Sequence, residues 1–462
     1  MKKKPICLLT VISMMISMGA CASQPQSKTT ESSVQSVAES SLQSSAESST
    51  PTVPGADTPH RDGYTLEQVV VLSRHNIRSP LSGNGSLLGT ITPHQWFEWS
   101  SASSELSLRG GVLETEMGQY FRKWLESEKL FPENYHPEDG AVRVYANSKQ
   151  RTIATAQYFT SGLLPTAKTM IETHTDYDTM DPVFNPNLNF VSPDYNADAE
   201  AQIRELYTDA INGLSDNYEL ITDVIDMKQS EAWKEGTVKE LSTDDLTIVL
   251  EQEQEPGMKG SLKTACSVSD ALILQYYEEP DPVKAAFGHE LTESQWLKIS
   301  EIKDVYGDVL FTAPLIATNV ANPLLREIEK ELNTDGRKFS FLCGHDSNIG
   351  SVLAALGVED YELPGTIEQK TPIGSKVVFC RWKAPDGSKY CTVDLVYQTL
   401  DQLRNMPLLN LDKHPAIVPL HFTGLKTNAD GLYPEKDFLQ LLQTSIGKYD
   451  EILDKYALPA AA

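Results

Sequence analysis

A chain of 462 residues with a net charge of −25 is long enough for a large core and for more than one domain. That acidic balance excludes nucleic acid and anionic membrane surface as bulk partners. With an ordinary 40 % hydrophobic share, the chain can serve an anionic ligand only by building a locally basic pocket.

The first residues read as an address. Met1-Lys2-Lys3-Lys4 is a basic start, Ile6 to Met18 is apolar, and Met18-Gly19-Ala20-Cys21 places small residues before a cysteine. The pattern resembles a bacterial lipoprotein signal over residues 1–21, with lipidation of Cys21; an ordinary export signal is the alternative. Residues 22–58 are rich in Ser, Gln, Thr and Glu and read as a disordered tether, because such a segment cannot offset its ordering entropy by burial. The expected product is an exported, lipid-anchored protein in the periplasm or at the cell surface of a bacterium.

Gln68 to Leu72 is an apolar, β-branched run that predicts a buried strand. It delivers Arg74-His75-Asn76-Ile77-Arg78, a histidine between two arginines. Such cations repel one another and lower the proton affinity of the imidazole unless an anion sits among them. A phosphate would resolve the conflict, and the neutral imidazole could attack it. Solvated arginines beside an ordinary histidine are the competing reading of this stretch alone.

Farther along, Leu113, Met117, Tyr120, Phe121, Trp124 and Leu125 fall on one helical face and read as core. Ala141 to Ala146 reads as a short strand that runs through Asn147 and Ser148 into an Ala-rich helix. Arg151 stands at that junction, where backbone N–H groups already favour an anion. From about Met180 to Arg337 helical patterns dominate, and a mostly helical cap over 181–337 is expected. Within it, Gln254-Glu255-Pro256-Gly257 reads as a turn that aims an acidic residue. Strand character returns at Lys338 to Cys343 and stops at Gly344-His345-Asp346, with Ser347 or Asn348 expected to cap the next helix.

Lys376 to Trp382 and Tyr390 to Tyr397 predict a hairpin about Pro385-Asp386-Gly387-Ser388. In that register Cys380 and Cys391 lie nearly opposite, so a cross-strand disulfide is expected. Cys266 and Cys343 are expected as small buried apolar residues. The cysteine spacing suits no metal site, and no metal or other cofactor is invoked.

Two strand ends thus present Arg74, His75 and Arg78, and His345 with Asp346. If they are neighbours in an open α/β sheet, ligand lies beyond them, and with Arg151 the set suits phosphoryl transfer. Arginines would bind phosphate oxygens, a histidine would attack phosphorus, and a carboxylic acid would protonate the leaving oxygen. Arg74-His75-Asn76-Ile77-Arg78-Ser79-Pro80, followed far downstream by His345-Asp346, resembles the histidine acid phosphatase family, whose pattern is RHGxRxP and then HD. Asn76 departs from the usual Gly and points to the glucose-1-phosphatase branch. The stretches Asn84-Gly85-Ser86, Thr92-Pro93-His94-Gln95-Trp96, Gln275-Tyr276-Tyr277-Glu278 and Thr371-Pro372-Ile373-Gly374 support that branch.

The resemblance implies a doubly wound α/β catalytic domain, 59–180 with 338–462, around a mixed sheet flanked by helices, plus the smaller α-helical cap. It implies His75 as nucleophile, Asp346 as proton donor, Arg74, Arg78, Arg151 and His345 as phosphate ligands, and Glu255 as a sugar contact. A small-molecule phosphomonoester is the expected partner, glucose 1-phosphate or related sugar and inositol phosphates. Phytase activity is the alternative within the family. A non-catalytic phospho-ligand-binding lipoprotein is the alternative from another class, and it would have no need of both His75 and Asp346.

Overall fold

Seven strands form one mixed sheet whose central members are parallel and end side by side. The computed structural model describes residues 61–81 and 86–457. The expected signal over 1–21, Cys21, the tether over 22–58 and the motif residues Asn84 and Gly85 lie outside the described residues.

In chain order the strands are β1 (Thr65–Arg74), β2 (Val142–Ala146), β3 (Thr247–Val249), β4 (Gly257–Lys259), β5 (Phe339–Gly344), β6 (Lys376–Lys383), β7 (Lys389–Tyr397), β8 (Ala416–Pro419) and β9 (Tyr433–Pro434). The main sheet runs β2-β5-β1-β6-β7-β8, with β9 on β7, and β3 with β4 forms a separate hairpin. Strands β2, β5 and β1 are parallel, and the rest of the sheet is antiparallel. The run Val69-Val70-Val71-Leu72 is fully buried, as expected for a strand covered on both faces.

Each face carries its own helical layer. Val69 and Val71 meet the layer of α1 (Leu108–Ser127) and α2 (Gln150–Leu163), whereas Val70 and Leu72 face the opposite core. The first layer packs closely because Gly118 and Gly162 face it; a Cβ on Gly118 would stand 2.0 Å from the Phe159 carbonyl oxygen.

The helical block comprises α3 (Pro193–Asn212), α4 (Ser215–Val224), α5 (Glu231–Lys234), α6 (Ser261–Glu278), α7 (Pro282–Ala285) and α8 (Glu293–Phe311). The helix that follows, α9 (Pro314–Leu332), turns back onto the sheet. Its Ala317, Ala321, Leu324 and Leu325 share the core of Val70 and Leu72 with α10 (Asp346–Leu356). After the short α11 (Leu400–Asn405), α12 (Glu435–Tyr456) closes this layer through Phe438, Leu442 and Ile446. The described residues belong to one compact unit.

The hairpin β6–β7 forms about the predicted turn, but its register corrects the expected disulfide. Cys380 pairs with Thr392 and Arg381 with Cys391, a one-residue offset. Side chains alternate across a strand, so the offset sends the two thiols to opposite faces. Cys380 joins the core of Val69 and Val71, Cys391 that of Val70 and Leu72, and both are free. The cap of α10 also differs from expectation: the helix begins at Asp346, so His345 is its N-cap. Asn348 folds back instead, its Oδ1 accepting the His345 N–H at 2.9 Å.

Candidate active site

Register alone assembles the site. Arg74 lies opposite Gly344 across β1–β5, and Ala146 lies opposite Cys343 across β2–β5. The ladder continues one step farther, with the His75 N–H on the Gly344 carbonyl at 3.0 Å and the Asn147 N–H on the Cys343 carbonyl at 2.9 Å. Three strand ends therefore present Arg74-His75, Asn147 with Arg151 one helical turn on, and His345-Asp346 to the space beyond the sheet. That space is a cavity of about 1060 Å³, lined by His75, Arg78, Arg151, Glu255, His345 and Asp346 among others. Every site residue expected from the sequence, except Cys21, which lies outside the described residues, and the two hairpin cysteines, stands in or directly behind it.

His75 and His345 meet edge to face, their ring centroids 5.5 Å apart. The Nδ1 of His75 is 2.9 Å from the carbonyl oxygen of Asn76, which can only accept, so Nδ1 carries the proton and Nε2 keeps its lone pair. Burial pushes the proton affinity of His75 far down, and the charges of Arg151, Arg78 and Arg74 push it farther. His345 is depressed in the same way, by burial and then by Arg151. Its Nε2 takes a bond of 2.6 Å from the Asn147 amide, whose Oδ1 is held by the Asp181 N–H at 2.9 Å. Both imidazoles are therefore neutral at the bottom of a basic pocket.

The arginines are aimed by carboxylates. Arg74, fully buried, gives Nη1 to Glu368 at 2.8 Å and to the Thr371 carbonyl, and brings Nη2 within 3.2 Å of Asp346. Arg78 is paired with Asp270 at 3.1 Å. Burial and the neighbouring Arg78 lower Arg151 to about 10, the signature of a cation held among cations. Among the described residues the buried Nε atoms of Arg74, Arg78 and Arg151 have no hydrogen-bond partner. Orphaned guanidinium N–H groups on Arg78 and Arg151, which line the cavity, and on Arg74 behind it point to an oxyanion.

Asp346 is the first residue of α10, and its side chain is 38 % exposed, within reach of a ligand. Burial alone would raise its pKa, but the charges of Arg74 and Lys303 outweigh that and hold it far below the usual carboxylate range. Lys303 is in turn bonded to Glu368 at 2.5 Å. Glu368 takes two more donors, Tyr277 Oη at 3.0 Å and the Ile373 N–H at 2.8 Å, and burial is overcome by Lys303 and Arg74 to leave it at about 2. Glu255, in the turn before β4, is raised by burial and then by the charge of Asp346.

Asn76 turns away from the cavity. Its Nδ2 donates to Glu114 at 2.8 Å, its Oδ1 accepts from the Ile77 N–H at 2.8 Å, and its own N–H bonds Thr155 Oγ1 at 3.1 Å. Glu114 pairs with Lys376 at 2.7 Å, both side chains fully buried. Gly374, at φ +69°, closes over this amide; a Cβ there would stand 2.6 Å from Asn76 Nδ2. The asparagine thus fixes the nucleophile's backbone from behind. Removing Glu114 would strand the Lys376 ammonium in the core, so Glu114→Ala is expected to cost about 3–5 kcal/mol of stability. Urea unfolding would measure it, and a loss below about 1 kcal/mol would contradict the pairing.

Asp270, Lys303 and Glu368 carry no sequence signal as site residues. Each reaches the site by tertiary packing from a helix or loop with no motif spacing.

The chain is similar to known proteins. Residues 65–398 match the histidine phosphatase superfamily (branch 2). The chain is 37 % identical to the glucose-1-phosphatase of Providencia rettgeri, covering 85 % of this chain and 94 % of that one. It is 38 % identical to the glucose-1-phosphatase of Salmonella typhimurium, over 83 % and 93 %. Among solved structures, the apo phytase of Hafnia alvei superposes with a TM-score of 0.75 at 28 % identity, covering 84 % of this chain and 98 % of that one.

Proposed function

The chain belongs to branch 2 of the histidine phosphatase superfamily and is a phosphomonoester hydrolase; we propose that its substrate is glucose 1-phosphate, turned over through a phosphohistidine on His75. The observation that carries the mechanism is the fixed tautomer of His75, whose Nδ1 is tied to the Asn76 carbonyl. Nε2 attacks phosphorus, and the ester P–O bond breaks. Arg74, Arg78, Arg151 and His345 hold the phosphoryl oxygens and oppose the charge that develops on them. Asp346 gives its proton to the leaving sugar oxygen. Water then attacks phosphorus, the Asp346 carboxylate takes its proton, and the P–N bond breaks to release phosphate.

Asp346 is ionised in the empty site, so its proton must come with the substrate. A phosphate dianion neutralises Arg74 and Lys303 and so raises the affinity of Asp346 for a proton. At acidic pH the ester itself arrives partly as the monoanion, since the second phosphate pKa is about 6.

Glucose 1-phosphate is favoured over a highly phosphorylated inositol by the charges around the core. Beyond the arginines, Lys149, Lys263, Lys303 and Lys370 face Glu255, Asp270, Asp304, Asp308, Glu359 and Asp360 across the same cavity. Lys303 and Lys370 are already paired, with Glu368 and Asp308. A polyanion would find few free cations there, whereas a neutral sugar would find hydrogen-bonding groups, Glu255 among them. The resemblance to phytases, including the Phytase AppA of Escherichia coli at 28 % identity, keeps inositol hexakisphosphate as the second substrate to compare. We expect kcat/KM for glucose 1-phosphate to exceed that for inositol hexakisphosphate by at least about tenfold, the equivalent of one lost charge-assisted contact. A reversed ratio would assign the site to phytate.

We also propose that the protein is exported and anchored through a lipid on Cys21, supported by the basic start, apolar stretch and polar tether of its first 58 residues. Labelling in cells with radioactive palmitate should mark the protein and spare Cys21→Ser. An unlabelled wild-type chain would rule the anchor out.

A further inference from the structure

The cavity is larger than a hexose phosphate requires, since sites for whole drug-sized ligands span roughly 300–1,000 Å³. Its two long walls change character along their length. On α8 the lining begins at Lys303, which bonds Glu368 beside the phosphate arginines, and ends at Leu310 and Phe311. On α10 it begins at Asp346 and ends at Leu353 and Ala354. At 1.5 Å per residue each wall runs about 10–12 Å from charged to apolar. Leu206, Tyr207 and Pro314 complete the far end, where Tyr207 Oη is satisfied by Thr312 Oγ1 at 2.7 Å.

Between the two ends each wall carries a glycine. Gly307 on α8 and Gly350 on α10 both line the cavity. A Cβ on Gly307 would meet nothing within 4 Å, so no close packing at that point demands a glycine. Inside a helix glycine is destabilising relative to alanine. Its effect at position 307 is to leave the space between the two ends clear.

We infer that this cavity accepts phosphomonoesters whose alcohol carries an uncharged apolar extension, an alkyl or aryl group reaching about 10 Å beyond the phosphate site. The inference rests on the phosphatase reading and adds a substrate class to it: glucose 1-phosphate fills the polar end, and the extension enters the corridor past Gly307. The extension is uncharged because Asp308 at the apolar end is already paired with Lys370, and Glu359 and Asp360 stand at its rim, so no free cation receives a second anion.

The test compares ethyl, butyl and hexyl phosphate, whose leaving oxygens are alike, with glucose 1-phosphate as reference. Each fully buried methylene can contribute about fourfold in kcat/KM, so hexyl phosphate is expected to exceed ethyl phosphate by at least about tenfold. Gly307→Leu, which raises helix propensity and whose Cβ meets nothing within 4 Å, should bring that ratio to within about twofold of unity while glucose 1-phosphate stays within about twofold of wild type. A flat series with active hydrolysis of glucose 1-phosphate would overturn the inference, as would a chain-length gain that survives Gly307→Leu. Failure to hydrolyse glucose 1-phosphate and every alkyl ester would instead overturn the phosphatase reading beneath it.

Discussion

Replacing His75 with alanine is expected to lower kcat on glucose 1-phosphate by roughly 10⁴-fold or more, as loss of a covalent nucleophile does when its partners act as a unit. The pocket around it should survive. Arg74 keeps Glu368, Arg78 keeps Asp270, and His345 keeps Asn147, none of which touches the His75 ring through a hydrogen bond. Inorganic phosphate should therefore still bind, since the ring is neutral and its removal takes no charge from the pocket. Steady-state rates and phosphate titration by calorimetry separate the two effects. Full activity in His75→Ala would remove the nucleophile assignment; loss of phosphate binding along with activity would mean that the ring supports the arginines, which the contacts do not show.

Asp346→Asn is the second large effect, and it depends on the leaving group. An alkoxide from a sugar must be protonated as it departs, so the loss on glucose 1-phosphate is expected at about 10²–10⁴-fold. An activated aryl phosphate, whose leaving oxygen departs without help, should lose less than about tenfold. The pH dependence follows from directions already given. His75 is held neutral by burial and by the arginines, so acidification does not disable the nucleophile until well below its usual range. Asp346 has its pKa lowered in the empty site, so it is the deprotonated partner as pH rises. Wild-type kcat/KM on glucose 1-phosphate should thus rise as pH falls through about 6, where the ester begins to carry its own proton. A maximum above neutrality, or an equal loss on both substrates in Asp346→Asn, would contradict the acid assignment.

Much of the site was legible because it follows strand ends. Arg74-His75 and His345-Asp346 each terminate an apolar run, and parallel pairing of those runs brings the motifs together without further information. Arg151 was legible for the same reason, in the first turn of the helix after β2. What was not legible travels through packing. Glu368 reaches Arg74 from a loop 294 residues away, and Lys303 reaches Glu368 from the middle of a helix whose pattern reads only as core and surface. No spacing rule connects them.

Two misreadings have separate physical causes. The expected bond between Cys380 and Cys391 failed on one residue of register, which a turn motif does not fix closely enough. The cap of α10 was placed at Ser347 or Asn348, the residue types that usually take that role, whereas the chain already turns at His345 and Asn348 caps from inside the helix. Asn76 shows the opposite case. In the sequence it serves only to choose the branch, and its amide faces Glu114 and the buried Lys376. Its place in the chemistry is to hold the backbone from which His75 projects.

The most direct test of the account is a rapid quench during turnover of an activated aryl phosphate, whose transfer to the enzyme outruns hydrolysis. The quench should be alkaline, because a phosphoramidate survives there. Peptide mapping is predicted to find one phosphoryl group on His75 in the wild-type chain and none in His75→Ala. An unmodified His75 while product accumulates, or a phosphoryl group on another residue, would contradict the mechanism.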